Sequence, residues 1–215
     1  MLSSCAQCKV FVCSSGHVEA APTDCPMLVD NGKLTDTRVR QAEAGIRELA
    51  RTSALVEAKG YCRWTRVEET MEYARRLGMK RLGIAFCVGL KEEARLLHRV
   101  LEANGFEVAS VACKTGAIPK EDIGITNDEK VRPGSFEAAC NPIAQAQVLN
   151  AAHTDLNVIV GLCVGHDSLF IKHSEALVTC LIAKDRVLAH NPAGALYCSH
   201  GYYRQALYKS HQQDH

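Results

Sequence analysis

The apolar positions of this chain change their period along its length, and the changes divide it. Residues 1–32 show little apolar periodicity and carry four cysteines, two glycines and two prolines, which predicts an irregular segment with no core of its own. From Thr35-Asp36 onward Val39, Ala42, Ile46, Leu49, Ala50 and Leu55 recur at helical spacing, so one helix is expected from about Asp36 to Lys59, ended by Gly60. A second helix is expected over Thr65–Leu77, with Val67, Met71, Ala74 and Leu77 on one face and Gly78 as its stop. The pattern then switches to short continuous apolar runs alternating with amphipathic stretches. Leu82–Cys87, Phe106–Cys113, Leu156–Leu162 and Leu177–Ala183 read as strands; Lys91–Asn104 and Pro142–Ala152 read as helices, the latter opened by Asn141-Pro142. Lys184-Asp185 is expected to turn the chain into a returning edge strand, Arg186–Ala189. Residues 115–137 hold few apolar positions and read as a long loop, of the kind that is often functional.

Strands that alternate with helices require crossover connections, and these give a parallel sheet covered on both faces. The expected fold is therefore α/β: a three-layer Rossmann-like sandwich with a mostly parallel sheet, preceded by a small cysteine-rich metal-binding lobe. The lobe spans 1–32, and the α/β domain with its two leading helices spans 33–215.

Composition narrows the function. The 215 residues are 47% hydrophobic and 23% charged, ordinary for a packed protein, and 25 Lys and Arg against 24 Asp and Glu leave a net charge of +1. Such a balance gives no reason to expect nucleic acid or an acidic membrane surface as partner. No apolar run approaches the roughly 18 residues of a membrane span. Met1–Cys5 offers neither the basic start nor the apolar stretch of a secretory signal, so a cytoplasmic location is expected. There is no Gly-x-Gly-x-x-Gly fingerprint and no phosphate-binding loop of the Walker type. Eleven cysteines cannot all pair within one chain, and in a reducing compartment they point to metal ligation, catalysis or small buried hydrophobes.

Cys5, Cys8, Cys13 and Cys25 follow the spacing C-x2-C-x4-C-x11-C, with Pro26 after the last. Two thiolates two residues apart grip one metal from a tight turn, and the other two close the coordination sphere. The arrangement resembles the small four-cysteine iron–sulfur domain of electron-transfer and corrinoid proteins of anaerobes, although its last gap is shorter. A [4Fe–4S] cluster is preferred to zinc, which would more often show two C-x2-C pairs; His17 in place of one cysteine would reverse that preference.

A second set of cysteines emerges once the strands are placed. Cys87 and Cys163 each begin a Cys-Val-Gly at the end of a strand, Cys113 ends a third, and Cys140 precedes the helix at Asn141-Pro142. Open parallel sheets bind ligands at the carboxyl ends of their strands. A cysteine at a helix N-terminus favours its thiolate, which singles out Cys140 and Cys163 as reactive thiolates or cluster ligands. His166 is assigned as proton carrier, Asp167 as the group that orients it, and Cys87, Cys113 and Lys114 as binding residues, Lys114 toward an anion. His173 and His190 are weaker candidates. Cys180 reads as core, and Cys62 and Cys198 receive no role.

Taken together, Cys5-x2-Cys8-x4-Cys13, Gly83-Ile-Ala-Phe-Cys-Val-Gly-Leu90, Cys140-Asn-Pro-Ile143, Gly161-Leu-Cys-Val-Gly-His-Asp-Ser-Leu-Phe-Ile-Lys172 and Lys184-Asp-Arg-Val-Leu-Ala-His-Asn-Pro192 resemble a prokaryotic domain of unknown function, number eighteen forty-seven in its series. Its members are described only as metal-binding proteins, many from anaerobes. The resemblance implies a metal and an oxygen-poor cytoplasm but no reaction; the tail Lys209–His215 matches none of its motifs. The expected function is metal binding, by an iron–sulfur cluster on the N-terminal cysteines, with a thiol-rich redox or small-molecule site at the sheet edge and an electron-transfer partner or small ligand. The alternatives are a structural zinc or assembly protein without catalysis and a thiol-dependent transferase or hydrolase.

Overall fold

The computed structural model describes residues 4–28 and 33–208, and the chain separates after Tyr61 into two units. The lobe boundary expected at residue 32 and the tail from Lys209 lie outside the described residues. The N-terminal unit contains the short helix α1 (Val12–Ser15), then α2 (Lys33–Ala42) and α3 (Ala44–Gly60). Between residues 4 and 28 only Val12 is buried. The single helix expected over 36–59 is two helices, because Glu43 takes an extended backbone (φ −58°, ψ 134°) and breaks the hydrogen-bond ladder there. Gly45 follows two residues later and adds little helical preference to oppose the break.

In the second unit α4 (Arg66–Arg76) opens on a capping box, in which the Thr65 side chain takes the Glu68 N–H and Glu68 returns to the Thr65 backbone. Then follow β1 (Arg81–Phe86), α5 (Lys91–Ala103), β2 (Glu107–Ala112), α6 (Pro142–Ala151), β3 (Leu156–Val160), α7 (His166–His173) and β4 (Leu177–Ile182), with the short α8 (Ala193–Tyr197) and α9 (Arg204–Leu207) after them. The four strands form one parallel sheet in the order β2-β1-β3-β4. Each grew from an apolar run, and β3, covered on both faces, is buried at every position.

The layers follow from the side-chain alternation. Ser110, Ile84, Val158 and Thr179 share one row across the sheet. On that face Ala94 of α5 borders a hollow with Ser110 and Phe86, and Arg66 of α4 donates to Thr179 Oγ1 at 3.1 Å. Gly83 and Asn157, in the next row, face Leu149 of α6 on the other side. Asn150 joins α6 to the end of α7 by bonds to His173 C=O and Glu175 N–H. The result is the three-layer α/β sandwich expected from the strand and helix alternation.

Three local expectations are corrected. Cys180 is exposed on the edge strand β4 and does not belong to the core, since β4 has a strand neighbour on one side only. Arg186–Ala189 forms a turn and not a strand: the Asp185 carboxylate accepts the Val187 and Leu188 N–H groups, which curls the chain, and Ala189 and His190 then adopt positive φ. The long loop carries two 3₁₀ turns, Lys120–Ile123 and Asn127–Glu129, and is tied to itself by the Pro119–Ala138 bridge and the Lys120–Glu137 ion pair at 2.6 Å.

One close approach in this core is testable. A Cβ on Gly83 would collide with the Asn157 amide and meet Leu149 at 2.9 Å. Asn157 cannot retreat, because its Oδ1 accepts from Thr154 and its Nδ2 donates to Ser174, both at 2.8 Å. Gly83→Ala should cost about 2 kcal/mol, in the range of core overpacking. Urea unfolding should show the lower midpoint with an unchanged slope; a wild-type midpoint would refute the packing.

Candidate functional site

The chain leaves β1 toward β2 on one side and returns past it to β3 on the other, so the connections that follow β1 and β3 run in opposite directions from paired strand ends. Such a switch point is where open α/β sheets bind ligands. Cys87 is the first residue past β1. Cys113 is the first past β2, and its N–H bonds Phe86 C=O at 2.8 Å, which extends the ladder by one step. Cys140 arrives from the long loop and is fixed beside Cys113 by the Asn141 N–H to Cys113 C=O bond at 2.7 Å. Asn141 at the same time caps α6, its side chain accepting the Ala144 N–H at 3.0 Å. Cys163 lies three residues past β3, after Gly161, whose φ of +70° lets Leu90 pack against its bare Cα.

Three of these cysteines are neighbours. Cys87 and Cys113 lie one residue past the Phe86–Ala112 rung, the Cys113 Sγ takes the Val88 N–H at 3.4 Å, and the Asn141 N–H to Cys113 C=O bond sets Cys140 beside it. Proximity to those two thiols, with burial, pushes the Cys113 thiol up. Hydrogen bonding with Cys113, whose one proton serves one neighbour at a time, is in turn the largest influence lowering Cys87 and Cys140, each to about 5, against the penalty of burial. The Gly89 N–H and Lys184 add to the effect at Cys87; Lys114 and His166 add to it at Cys140. Lys114 Nζ lies 3.3 Å from Cys140 Sγ and is anchored on Ala138 C=O at 2.5 Å. Arg186 Nη2 lies 3.1 Å from Cys163 Sγ. Cations therefore stand at three of the four edge sulfurs, Lys184 at Cys87, Lys114 at Cys140 and Arg186 at Cys163.

Among the residues singled out from sequence, Cys87, Cys113, Cys140 and Lys114 come together, and His166 stands near enough to Cys140 to favour its thiolate. Cys163 is bonded by Arg186 and not by the other three sulfurs. His166 Nδ1 is buried without a hydrogen-bond partner. Asp167 does not orient it: the Asp167 carboxylate caps the Ser168 N–H at 2.8 Å, because successive residues on a helix point away from each other. Cys140 directly precedes the N-cap of α6, and beside that helix end Cys113 and then Lys114 lower its pKa. His190 accepts the Asp185 N–H through Nδ1 at 3.2 Å, a role in the turn, and His17 pairs with Glu19 at 3.4 Å on an exposed surface.

Three contributors escaped sequence reasoning. Lys184 and Arg186 enter from the end of β4, beyond the pairing that places β4 next to β3. Gln145, fully buried on α6, donates through Nε2 to Phe86 C=O at 3.2 Å and Val111 C=O at 2.9 Å, holding the ends of β1 and β2 together beneath the cysteines. Its signal was a polar side chain in an apolar stretch of helix.

In the N-terminal unit Cys5, Cys8 and Cys25 line one cavity of about 190 Å³ together with Lys9 and Asp24, while Cys13 lies on α1 away from its wall. The Phe11 N–H points at Cys8 Sγ at 3.4 Å. Among the described residues no three His, Cys, Asp or Glu side chains are grouped to hold a single metal ion as they stand.

A family model described as "Protein of unknown function (DUF1847)" matches residues 25–181, a span that takes in the four sheet-edge cysteines and Cys25 but leaves Cys5, Cys8 and Cys13 outside. An uncharacterized protein of Methanocaldococcus jannaschii is 42% identical over 203 residues, which cover 94% of this chain and 97% of that protein. No solved structure matches. A match over most of the chain, together with a relative this similar along nearly its whole length, makes the protein a member of the DUF1847 family.

Proposed function

We propose that this protein performs thiol chemistry, redox or group transfer on a small molecule, at the carboxyl edge of its sheet. The observation that carries the reading is the gathering of Cys87, Cys113 and Cys140 at the carboxyl ends of β1 and β2, with Lys114 on Cys140 and Lys184 beside Cys87. Inert core cysteines need no such company, because a buried thiol is a small hydrophobe. Cys140 is the nucleophile: it is only partly buried, whereas Cys87 and Cys113 are 7% and 2% exposed. Lys114 steadies its charge, and His166 carries the proton. Cys163, beside Arg186, is the second reactive position.

Alkylation tests this directly. The Cys140 thiolate exists above its midpoint and is lost as pH falls through it, so its reaction with iodoacetamide should fade near pH 5; an unperturbed cysteine fades at about 8.5. At pH 7 peptide mapping should find Cys140 modified ahead of Cys198, and Lys114→Met should move the midpoint upward. A Cys140 rate that rises only in step with Cys198 would defeat the assignment.

A second reading concerns the N-terminal unit and rests on its shared cavity. Three thiols around one hollow are a soft donor set that suits iron or zinc. The single C-x2-C pair, Cys5 and Cys8, followed by the unpaired spacing of Cys13 and Cys25, favours a cluster over a zinc ion, which more often takes two such pairs. Cys5, Cys8 and Cys25, with Cys13 from α1, would hold the cluster, which when bound would supply one-electron transfer. Anaerobic purification should give a brown protein with iron and acid-labile sulfide. Cys25→Ala should lose both while the far-ultraviolet circular dichroism of the α/β unit persists, since metal and fold are coupled only in the lobe. Iron that survives Cys25→Ala and disappears in Cys113→Ala would move the centre to the sheet edge.

A further inference from the structure

Resting on the thiol reading above, the geometry divides the labour among the three neighbouring sulfurs. We propose that they form a disulfide-exchange relay for a small anionic disulfide, in which Cys140 attacks, Cys113 resolves and Cys87 takes the proton.

Access fixes the first role. Cys140 is the one sulfur of the three that is not buried, so an incoming disulfide must meet it first. Contact fixes the second. The Asn141 N–H to Cys113 C=O bond at 2.7 Å sets the Cys113 and Cys140 backbones side by side. Cys87 is buried and does not meet the incoming disulfide, so the sulfur that carries the mixed disulfide, and that Cys113 attacks, is Cys140. The third role follows from what remains. When Cys113 turns on Cys140 its proton passes to Cys87, the neighbouring sulfur one residue past the same β1–β2 rung, beside which the Lys184 ammonium stands at Gly89. Cys163 is held by Arg186 and makes no bond to Cys140.

The steps balance. The Cys140 thiolate attacks one sulfur of R–S–S–R′, forms Cys140–S–S–R and releases R′–S⁻. Cys113 transfers its proton to the Cys87 thiolate, attacks Cys140 Sγ, forms the Cys113–Cys140 disulfide and releases R–S⁻. Two cysteines are oxidised, one substrate disulfide is reduced to two thiolates, and no further reactant is needed; two equivalents of a thiol return the protein by the reverse route. Lys114, Lys184, Arg186 and His166 at this edge favour a substrate that bears negative charge.

The full-length protein, prepared anaerobically, is treated with one equivalent of the dianionic aromatic disulfide dithiobis(nitrobenzoate) at about pH 6, where ordinary thiols are protonated. Released thionitrobenzoate is followed by absorbance, and the products are mapped as peptides. The relay predicts two thionitrobenzoates per reacting chain and a peptide joining Cys113 to Cys140 in the wild type, a result that depends on no variant folding. Cys113→Ser should release one and retain the mixed disulfide on Cys140. Cys87→Ala should leave the first release intact and slow the second roughly tenfold, as loss of a positioned base does. A wild-type mixed disulfide that persists on Cys140, or a disulfide from Cys140 to Cys163, would overturn the relay and leave the reactive thiol site standing. A Cys140 that stays unmodified while other cysteines react would overturn both.

Discussion

The pairing of β1 with β2 on one side and β3 on the other is the constraint on which the sheet edge depends. Parallel registry carries the ladder from Phe86–Ala112 one step further, to Cys87 and Cys113, so two cysteines distant in sequence emerge as neighbours. The arrangement survives at the end of the strands, where ladders usually fray, because Gln145 bonds the Phe86 and Val111 carbonyls from α6. That same helix is capped by Asn141, whose backbone N–H fixes Cys140 against Cys113. Helix, cap and strand ends are one mechanical unit, and the three sulfurs are its product.

Gathering buried sulfurs and lysines at one place costs desolvation that a plain hydrophobic strand tip would not incur. The structure offsets this cost locally, with Lys184 at Cys87, Lys114 at Cys140 and Arg186 at Cys163. Each cation comes from the segment just past a strand end, Lys114 after β2 and the other two after β4, so the topology that assembles the thiols also assembles their counter-charges. The central thiol is pushed up because a negative charge beside two neighbouring sulfurs in a buried place is the least favourable, while the flanking two are lowered. These opposite shifts distinguish the cluster from a set of equivalent cysteines.

Much of this was legible in the sequence, and the reasons for success and failure are physical. The strands were readable because residues buried on both faces form continuous apolar runs, and their parallel order followed from helices between them. Strand-end cysteines were readable as a group for the same reason. The break at Glu43 was not, since nothing in the apolar pattern of Val39 to Leu55 marks one backbone torsion. Cys180 misled because Val178-Thr-Cys-Leu-Ile looks buried in sequence, yet its strand lies at an edge. Asp167 misled because adjacency in sequence is not adjacency of side chains on a helix. Lys184 and Arg186 could be located only after the order β2-β1-β3-β4 was known, and Cys113 as the shared partner only after β1 and β2 were in register.

The two cysteine sets of this chain obey different physics. Residues 4–28 bury a single apolar side chain, Val12, so in that stretch the thiols have no packed frame to position them, and under the proposed cluster binding order there would come from the ligand. At the sheet edge the order runs the other way. There the sulfurs are placed by strands, by Gln145 and by the Asn141 cap before any ligand arrives, and their charges are set by fixed neighbours. A site preorganised by its fold can spend the energy of an incoming molecule on the reaction instead of on its own assembly. On the proposed reading, chemistry falls to the carboxyl edge of the sheet, and ligand-dependent folding to the cysteine-rich stretch that precedes it.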